Sequence, residues 1–172
     1  MNLFILDKDP YIAAQYYQDI HVNKIIIEGV QVLANAYSKE RLAQPDVPRT
    51  QRGTPRVHSH YNHPVSKWVR ENINNFLWTL EHVDALYNER VYRFGKSHFV
   101  KPFINWIESN FPTLPNLAKT EHPQCFQVNY PECVVKNDPV RGYQNYYNTA
   151  KREFNFKNRI VKATWTNRAV SY

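Results

Sequence analysis

The longest regular pattern in the sequence runs from Pro64 to Gly95, and it constrains the fold more than any other feature. Apolar residues recur through it at helical spacing, at Trp68, Ile73, Phe76, Leu77, Leu80, Val83, Tyr87 and Val91. Proline suits the first turn of a helix, and glycine commonly follows the last turn. The pattern therefore predicts one helix over 64–93, which is long for a globular domain.

A second helical pattern begins at Asp19 and continues to about Tyr37. Its flanks are apolar, but a narrow polar seam runs between them, made of His21, Lys24, Glu28, Gln31 and Asn35. A solvated helix face is normally wider and more heavily charged. The seam therefore predicts a polar cleft, and the alternative is a purely structural network of hydrogen bonds.

Three residues of this seam are the candidate catalytic residues: His21, Lys24 and Glu28. Their spacing of three and four places the side chains next to one another on a helix. Neighbouring titratable groups that are sheltered from water are suited to acid–base chemistry at neutral pH.

The remainder of the chain also favours helices. Asp9-Pro10 and Asp138-Pro139 each combine a capping residue with proline at the first helical position. A further helix is predicted over 100–110, and a basic aromatic helix over 140–159. We expect the helix that begins at Asp19 and the long helix over 64–93 to build the core.

Two segments lack periodicity. Residues 39–62 form a predicted long loop with five Lys or Arg against two acids, and 111–137 form an irregular proline-rich segment. Within the second segment, 125–130 (CFQVNY) is a candidate strand. We therefore expect a mainly α fold, a single compact helical domain over 1–172 with a long central helix and room for one small β element.

The composition restricts the classes of partner. A formal net charge of +7 and a pI of about 9.4 favour an anionic partner such as nucleic acid, a nucleotide or a membrane surface. No apolar run approaches the ~20 residues that span a bilayer, so DNA or a nucleotide is expected and a membrane is not. The four glycines are too scattered for a dinucleotide-binding turn or a P-loop. No cofactor is expected.

The chain has two cysteines, Cys125 and Cys133, which help to predict the cellular compartment. The opening residues MNLFILDKDP are too short and too charged for a signal peptide. We therefore expect a reducing cytoplasm and two free thiols.

Basic and polar residues around the long helix are candidate phosphate ligands. They are His63, Arg70 and Asn75 near its start and Arg93, Lys96 and His98 near its end. Cations at a helix end also suit the helix dipole, which is the alternative explanation for the last three. The histidines at 58, 60 and 63 match no zinc spacing and have no nearby Cys or acid, so no metal site is expected.

The late segment 143–159 interleaves aromatic and basic residues. Its candidate nucleic-acid contacts are Tyr143, Tyr146, Tyr147, Lys151 and Arg152. Aromatic rings stack on bases and cations neutralise phosphates, so this pattern is typical of a nucleic-acid surface. The alternative is that the aromatic residues belong to the core and the cations form its solvated rim.

The chain resembles a family of short phage-encoded proteins. Four motifs carry the resemblance: MxxFxLDxDP, DxHVxKxIxE, NHPxxxWxRExxxNFxWxxEHxxALxxExxYRxGKxH and DPVxxYxxYYxxxKxxF. The matching positions are Asp7, Asp9 and Pro10, then His21, Lys24 and Glu28, then Asn62, His63, Trp68, Arg70, Asn75, Glu81, His82, Arg93, Gly95, Lys96 and His98, and finally 138–154. The resemblance spans nearly the whole chain and implies a phage-encoded protein of the host cytoplasm.

The chain is also similar, more faintly, to the phage pyrimidine-dimer DNA glycosylase/AP lyase. That enzyme has an early helix with a histidine and, seven residues later, a catalytic glutamate, as His21 and Glu28 are placed here. Its nucleophile is the N-terminal amine exposed when the first methionine is removed. Asn2 is bulky, so we expect Met1 to be retained here, and Lys24 is the substitute nucleophile that the resemblance suggests.

The leading hypothesis is an enzyme that processes DNA or its nucleobases by glycosylase-like chemistry. Glu28 would be the general acid/base or would stabilise a cationic sugar, with His21 and Lys24 orienting it or engaging the sugar. A base within duplex DNA would have to be flipped out of the stack. The alternatives are an enzyme acting on free nucleotides and a non-enzymatic phage protein that binds nucleic acid or blocks a host factor.

Overall fold

The computed structural model describes residues 2–150, 154–155, 165 and 170–171. The α-helices within these residues are α1 (Pro10–Gln15), α2 (Asp19–Ala34), α3 (Lys39–Leu42), α4 (Pro64–Val69), α5 (Ile73–Phe94), α6 (Lys101–Glu108) and α7 (Pro139–Ala150). A 3₁₀ turn covers Pro131–Cys133, and two short strands, β1 (Phe154–Asn155) and β2 (Val170–Ser171), pair in parallel. The prediction of a mainly α-helical fold is confirmed.

Helix α5 is the centre of the structure, with α1 and α2 packed against it. The approach of α2 is close at Gly29, where an added Cβ would lie 2.3 Å from Cγ2 of Val83 on α5. A larger residue at this position would force the Val83 side chain or one of the two helices to shift. Around it the core is made of buried aliphatic and aromatic residues that include Leu3, Ile26, Leu33, Leu86 and Phe103. As expected, α2 builds the core, together with α5, which is the larger part of the segment predicted as one helix over 64–93.

The prediction of one helix over 64–93 is wrong, because the chain breaks between α4 and α5. The Asn72 side chain caps α5 by accepting hydrogen bonds from the backbone N–H groups of Asn74 (3.0 Å) and Asn75 (2.9 Å). The backbone N–H of Ile73 turns outward to donate to the carbonyl of Pro115, at 2.9 Å. The spacing of apolar residues continues from α4 into α5, so the sequence pattern gives no sign of the break.

The predicted helix ends are mostly correct. Asp9 caps α1 through the backbone N–H groups of Tyr11 and Ile12, and α1 begins at Pro10. Gly95 ends α5 in the left-handed conformation, with φ of 63°, and α7 begins at Pro139. In α2 the cap is Gln18 rather than Asp19, and the helix ends at Ala34 rather than near Tyr37.

The irregular segments differ from expectation in two details. Residues 39–62 contain the short helix α3, and the remainder is loop. The candidate strand over 125–130 is wrong, because these residues form turns, with Tyr130 N donating to Phe126 O at 3.0 Å. The helix predicted over 140–159 runs to Ala150, and its basic residues Lys151 and Arg152 lie outside the described residues. Across the described part of the chain, no helix is both long and apolar enough to cross a bilayer.

Candidate functional site

The first half of the polar seam on α2 faces a hollow of about 260 Å³. His21, Lys24 and Glu28 line one side of it, together with Asn2. The opposite side comes from the irregular segment before α7 and from α7 itself, through Phe126, Tyr130 and Tyr146. We call this hollow the Glu28 pocket. The three candidate catalytic residues are therefore neighbours at one cavity.

The carboxylate of Glu28 is held on both oxygens. Its Oε2 accepts a hydrogen bond from the backbone N–H of Asn2 at 2.8 Å, and its Oε1 lies 3.7 Å from Lys24 Nζ. The Glu28 side chain is 16% exposed, whereas that of Lys24 is 66% exposed. The expectation that Lys24 is sheltered with its neighbours is therefore wrong, and this lysine forms the solvent-facing rim of the pocket.

His21 is buried and oriented by two partners. Its Nδ1 lies 2.7 Å from the Tyr147 hydroxyl and 3.3 Å from the side-chain nitrogen of Gln18. An amide nitrogen can only donate, so Nδ1 accepts in its contact with Gln18. The Tyr147 oxygen in turn accepts from the backbone N–H of Gln18 at 2.9 Å. Burial raises the pKa of Tyr147 far above neutrality, so its hydroxyl remains protonated.

The wall opposite the seam is aromatic. The rings of Phe126 and Tyr146 stack in parallel, with centroids 4.6 Å apart and planes 6° apart. Tyr130 meets Tyr146 edge-on at 5.1 Å, and Phe4 completes the surface. A flat ring that enters the pocket would therefore meet aromatic carbon on one side and hydrogen-bonding groups on the other.

Cys125 also lines the pocket, but its thiol is poorly reactive. The thiol is free, and burial raises its pKa, so the reactive thiolate is disfavoured. Its backbone N–H donates to the hydroxyl of Tyr143 at 3.3 Å. Cys125 therefore fits a wall residue rather than a nucleophile.

The second half of the seam, Gln31 and Asn35, does not line the Glu28 pocket. Asn35 is buried, and its side-chain nitrogen donates to Ser59 O at 2.8 Å and Ser66 Oγ at 3.1 Å. Its side-chain oxygen accepts from the backbone N–H of Ser59 at 3.1 Å. Gln31 lines a different cavity, beside the basic loop. The structural alternative for the seam thus holds at Asn35, and the cleft interpretation fits only the part from His21 to Glu28.

Arg93, predicted to bind phosphate, lies in the core. Its side chain is 0% exposed, and its guanidinium donates to Glu89 Oε2 at 2.8 Å and to Asp19 Oδ1 at 3.1 Å. It also donates to the carbonyl oxygens of Tyr17 (2.6 Å) and Gln15 (3.0 Å). These contacts tie α5 to the end of α1 and the start of α2, so Arg93 is a structural residue.

The other candidate phosphate ligands are spread over the surface. The Arg70 guanidinium lies over the Tyr61 ring at 3.7 Å, and Lys96 is exposed beyond the end of α5. Partial burial lowers the pKa of His98 to about 4, so this ring is neutral at pH 7 and brings no positive charge to a phosphate. Neither these residues nor Arg93 are among the described residues lining the Glu28 pocket.

His63 and Asn75 have capping and bridging contacts. His63 Nδ1 accepts from Val65 N at 3.3 Å at the start of α4. The Asn75 side chain donates to Trp68 O and Thr120 Oγ1, both at 2.8 Å, and accepts from Thr120 N at 2.9 Å. Asn75 thereby fastens the 111–137 segment to α5.

The tyrosines of α7 divide between core and pocket. Tyr143 and Tyr147 are fully buried, so neither offers a face to a base from outside. Tyr146 is half-buried and lines the Glu28 pocket. Sequence reasoning missed Asn2, Phe4, Phe126 and Tyr130 as pocket residues. The spacing of two aromatic residues four apart over 125–130, with Gln and Asn between them, is the signal that could have drawn attention to the last two.

No metal centre is apparent in the described part of the chain, where His, Cys, Asp and Glu form no group of three with suitable geometry. Of the three close histidines, His58 stacks on Tyr61 at 4.6 Å, His60 has a left-handed φ of 51°, and His63 caps α4.

Comparison with known proteins gives no relative: no protein-family model, no curated protein and no solved structure matches the chain.

Proposed function

We propose that this chain is a phage-type enzyme that processes DNA or its nucleobases, with glycosylase-like chemistry in the Glu28 pocket. The observation that carries the proposal is the position of Glu28, a mostly buried carboxylate between a hydrogen-bonding wall and an aromatic wall. The Glu28 pocket, with a volume of about 260 Å³, has room for a single base. The formal net charge of +7 supports a polyanionic substrate.

Glu28 has the role that glycosidic cleavage demands of a carboxylate. As the bond between the sugar and the base breaks, positive charge develops on the sugar, and a fixed carboxylate stabilises it. The same group directs the attacking water, whose hydroxyl ends on C1′ of the sugar while its hydrogen ends on the departing base. The N–H of Asn2 at 2.8 Å holds the carboxylate in place for both tasks.

The aromatic wall accounts for recognition of the base. The Phe126–Tyr146 stack offers an aromatic surface for a ring, and His21 lies on the polar wall of the same pocket. A base in duplex DNA would enter by flipping, and the pocket would replace its stacking partners. Lys24 at the rim is placed to contact the sugar or a neighbouring phosphate.

Hydrolysis fits the pocket better than imine chemistry at Lys24. A lysine nucleophile has to be desolvated to lose its proton at neutral pH, and this side chain is 66% exposed. The backbone nitrogen of Asn2 offers another route, because a chain that lacks Met1 would place its amine 2.8 Å from Glu28.

The test is release of base from a panel of substrates. Purified protein is incubated with duplex and single-stranded oligonucleotides that carry damaged or modified bases, and with free nucleotides, and the released base is identified by mass spectrometry. We expect release from at least one oligonucleotide, abolished by Glu28→Gln. Release from free nucleotides alone would favour the free-nucleotide enzyme. No release from any substrate, with DNA binding intact in Glu28→Gln, would contradict the proposal in favour of a non-enzymatic binder.

Borohydride added during turnover tests the imine route. A hydrolytic enzyme forms no trapped adduct, and its intact mass is unchanged. A covalent adduct at Lys24 or at a chain beginning with Asn2, located by peptide mass spectrometry, would replace hydrolysis with a lyase mechanism.

A further inference from the structure

A second cavity, of about 480 Å³, lies between α2 and the basic loop over 39–62. Its apolar wall comes from Ile27, Val30, Ala34, Val57 and Phe99, and its polar wall includes Gln31, Thr50 and Thr54. Arg52 and Arg56 bring positive charge to it. We call it the Arg56 pocket. None of the candidate catalytic residues lines it.

Arg56 is the unusual residue of this cavity. It is 8% exposed, and its Nε donates to the carbonyl of Pro48 at 3.0 Å. One face of the guanidinium lies against the Phe103 ring at 3.9 Å. Its Nη2 is buried and has no hydrogen-bond partner within the described structure. No described carboxylate forms an ion pair with it.

A buried guanidinium without a counter-ion is costly, and proteins normally complete such a group with an acid or a ligand. Burial lowers the pKa of Arg56 to about 10, which still leaves it charged at neutral pH. Asp46, an acid of the same loop, is already engaged, because both of its oxygens accept from Arg41 at 2.8 Å. Within the described residues nothing completes this guanidinium, which leaves room for an anion that binds in the Arg56 pocket.

Hydrogen bonds within the loop that carries Arg56 hold it in place beside the cavity. Thr50 N donates to Thr54 O at 2.9 Å, and the hydroxyls of the two threonines lie 2.7 Å apart. Gly53 makes the turn between them possible, with a left-handed φ of 76°. Arg52 is exposed at the tip of this turn. The cavity thus offers a buried cation, a second cation at its rim, hydroxyl groups and an apolar wall.

We infer that the Arg56 pocket is a binding site for a phosphate ester carried on an apolar or aromatic body, of the mononucleotide class. The guanidinium takes the phosphate through in-plane N–H donors, and the apolar wall covers the ring. This site depends on neither Glu28 nor base release, so it stands or falls separately from the proposed enzyme activity.

The decisive variants lie at the exposed edge of the pocket. Val57 is 72% exposed, so a polar replacement there is tolerated by the fold. Val57→Glu brings a carboxylate to the guanidinium and competes with the phosphate, whereas Val57→Gln has the same shape without the charge. Titration calorimetry with a deoxynucleoside 5′-monophosphate, inorganic phosphate and the unphosphorylated nucleoside compares the two variants. Val57→Glu and Val57→Gln differ only in the charge near Arg56. Any binding in the Glu28 pocket therefore contributes equally to both titrations and cancels in the comparison.

We expect Val57→Glu to bind the 5′-monophosphate at least about tenfold more weakly than Val57→Gln, with Arg56→Gln affected in the same direction. The nucleoside should bind far more weakly than its monophosphate. Equal binding by Val57→Glu and Val57→Gln, or equal binding of nucleoside and monophosphate, would overturn the assignment. A parallel titration with an oligonucleotide that lacks a terminal phosphate identifies the source of the phosphate. Binding that is sensitive to Val57→Glu would then assign the site to the DNA backbone rather than to a free nucleotide.

Discussion

The Glu28 pocket and the cluster that joins α1 to α5 are both built from charged and polar side chains on helices, but they are completed differently. In the α1–α5 cluster, Arg93 and His82 on α5 reach backbone carbonyls of α1 and its C-terminal turn, and the surrounding protein satisfies them. In the Glu28 pocket, Asn2 and Lys24 hold the carboxylate beside a hollow. A buried charge can serve either the fold or a ligand. Protein partners on every side, as at Arg93, indicate a stabilising role, whereas an adjoining cavity, as at Glu28, indicates ligand binding.

Loss of Arg93 is expected to have the largest effect. Arg93→Met leaves Glu89 and Asp19 without their cation and two carbonyl oxygens, those of Gln15 and Tyr17, without this donor. We expect the free energy of unfolding to fall by about 3–5 kcal/mol, measured by urea denaturation. Lys96→Met, an exposed change just beyond the same helix, is the control and should cost less than about 0.5 kcal/mol. Similar losses for the two variants would break the comparison.

Acid should weaken the fold through its buried histidines. Burial lowers the pKa of His82 to about 4 and of His122 to about 3, below the ordinary value of 6.5. The unfolded chain therefore binds more protons than the folded chain below pH 6.5, so stability is complete above that pH and declines as the pH falls toward 4. We expect a loss of about 2 kcal/mol for each histidine between pH 7 and pH 4.5.

Urea denaturation at the two pH values measures this loss. His122→Phe should remove roughly half of the pH-dependent loss, because it leaves only His82 of the two. His60→Gln, at an exposed loop position, should leave the loss unchanged. A fold equally stable at both pH values would show that these rings take up protons as readily in the folded chain as in the unfolded chain.

The aromatic wall of the Glu28 pocket offers a sharper test of recognition. Tyr146→Ala removes one ring of the Phe126–Tyr146 stack, and we expect KM to rise about tenfold with a smaller change in kcat. Tyr146→Phe preserves the ring and should behave like the unaltered chain. A fall in kcat alone, for both variants, would place the tyrosine hydroxyl in the chemistry instead.

The smallest effect is expected at Lys24. The ion pair between Lys24 and Glu28 spans 3.7 Å at an exposed position, so Lys24→Gln should change kcat/KM by about threefold and stability by less than about 1 kcal/mol. Complete loss of base release would instead identify Lys24 as the nucleophile. The borohydride experiment would then show an adduct at the same residue.

Local chemistry explains what the sequence predicts correctly. Asp9 caps α1, Gly95 ends α5, and the spacing of His21, Lys24 and Glu28 places them at one cavity, because each depends on a few neighbouring residues. Contacts between distant segments explain the errors. The break before α5 depends on Pro115, and the burial of Arg93 depends on carbonyl oxygens of residues 15 and 17. No pattern within a helix reports such partners.

In the Glu28 pocket, too, one wall could be predicted from local sequence and the other depends on contacts between distant segments. The polar wall follows from helical spacing on α2, whereas the aromatic wall requires the turn over 125–130 to meet α7. That meeting depends on long-range contacts such as the Tyr143 hydroxyl donating to Asn2 Oδ1 at 2.7 Å. The environment of Arg56 could not be predicted for a similar reason, since its guanidinium lies against Phe103 on α6, which is distant in the sequence.

The most direct test of the central claim is a paired measurement on Glu28→Gln, in which base release and the free energy of unfolding are determined on the same preparation. We predict that release falls at least about 100-fold, while the free energy of unfolding stays within about 1 kcal/mol of that of the unaltered chain. Glu81→Gln, an exposed glutamate on α5, should change neither quantity. A large loss of stability with base release retained would contradict the account, because Glu28 would then be a structural charge like Arg93.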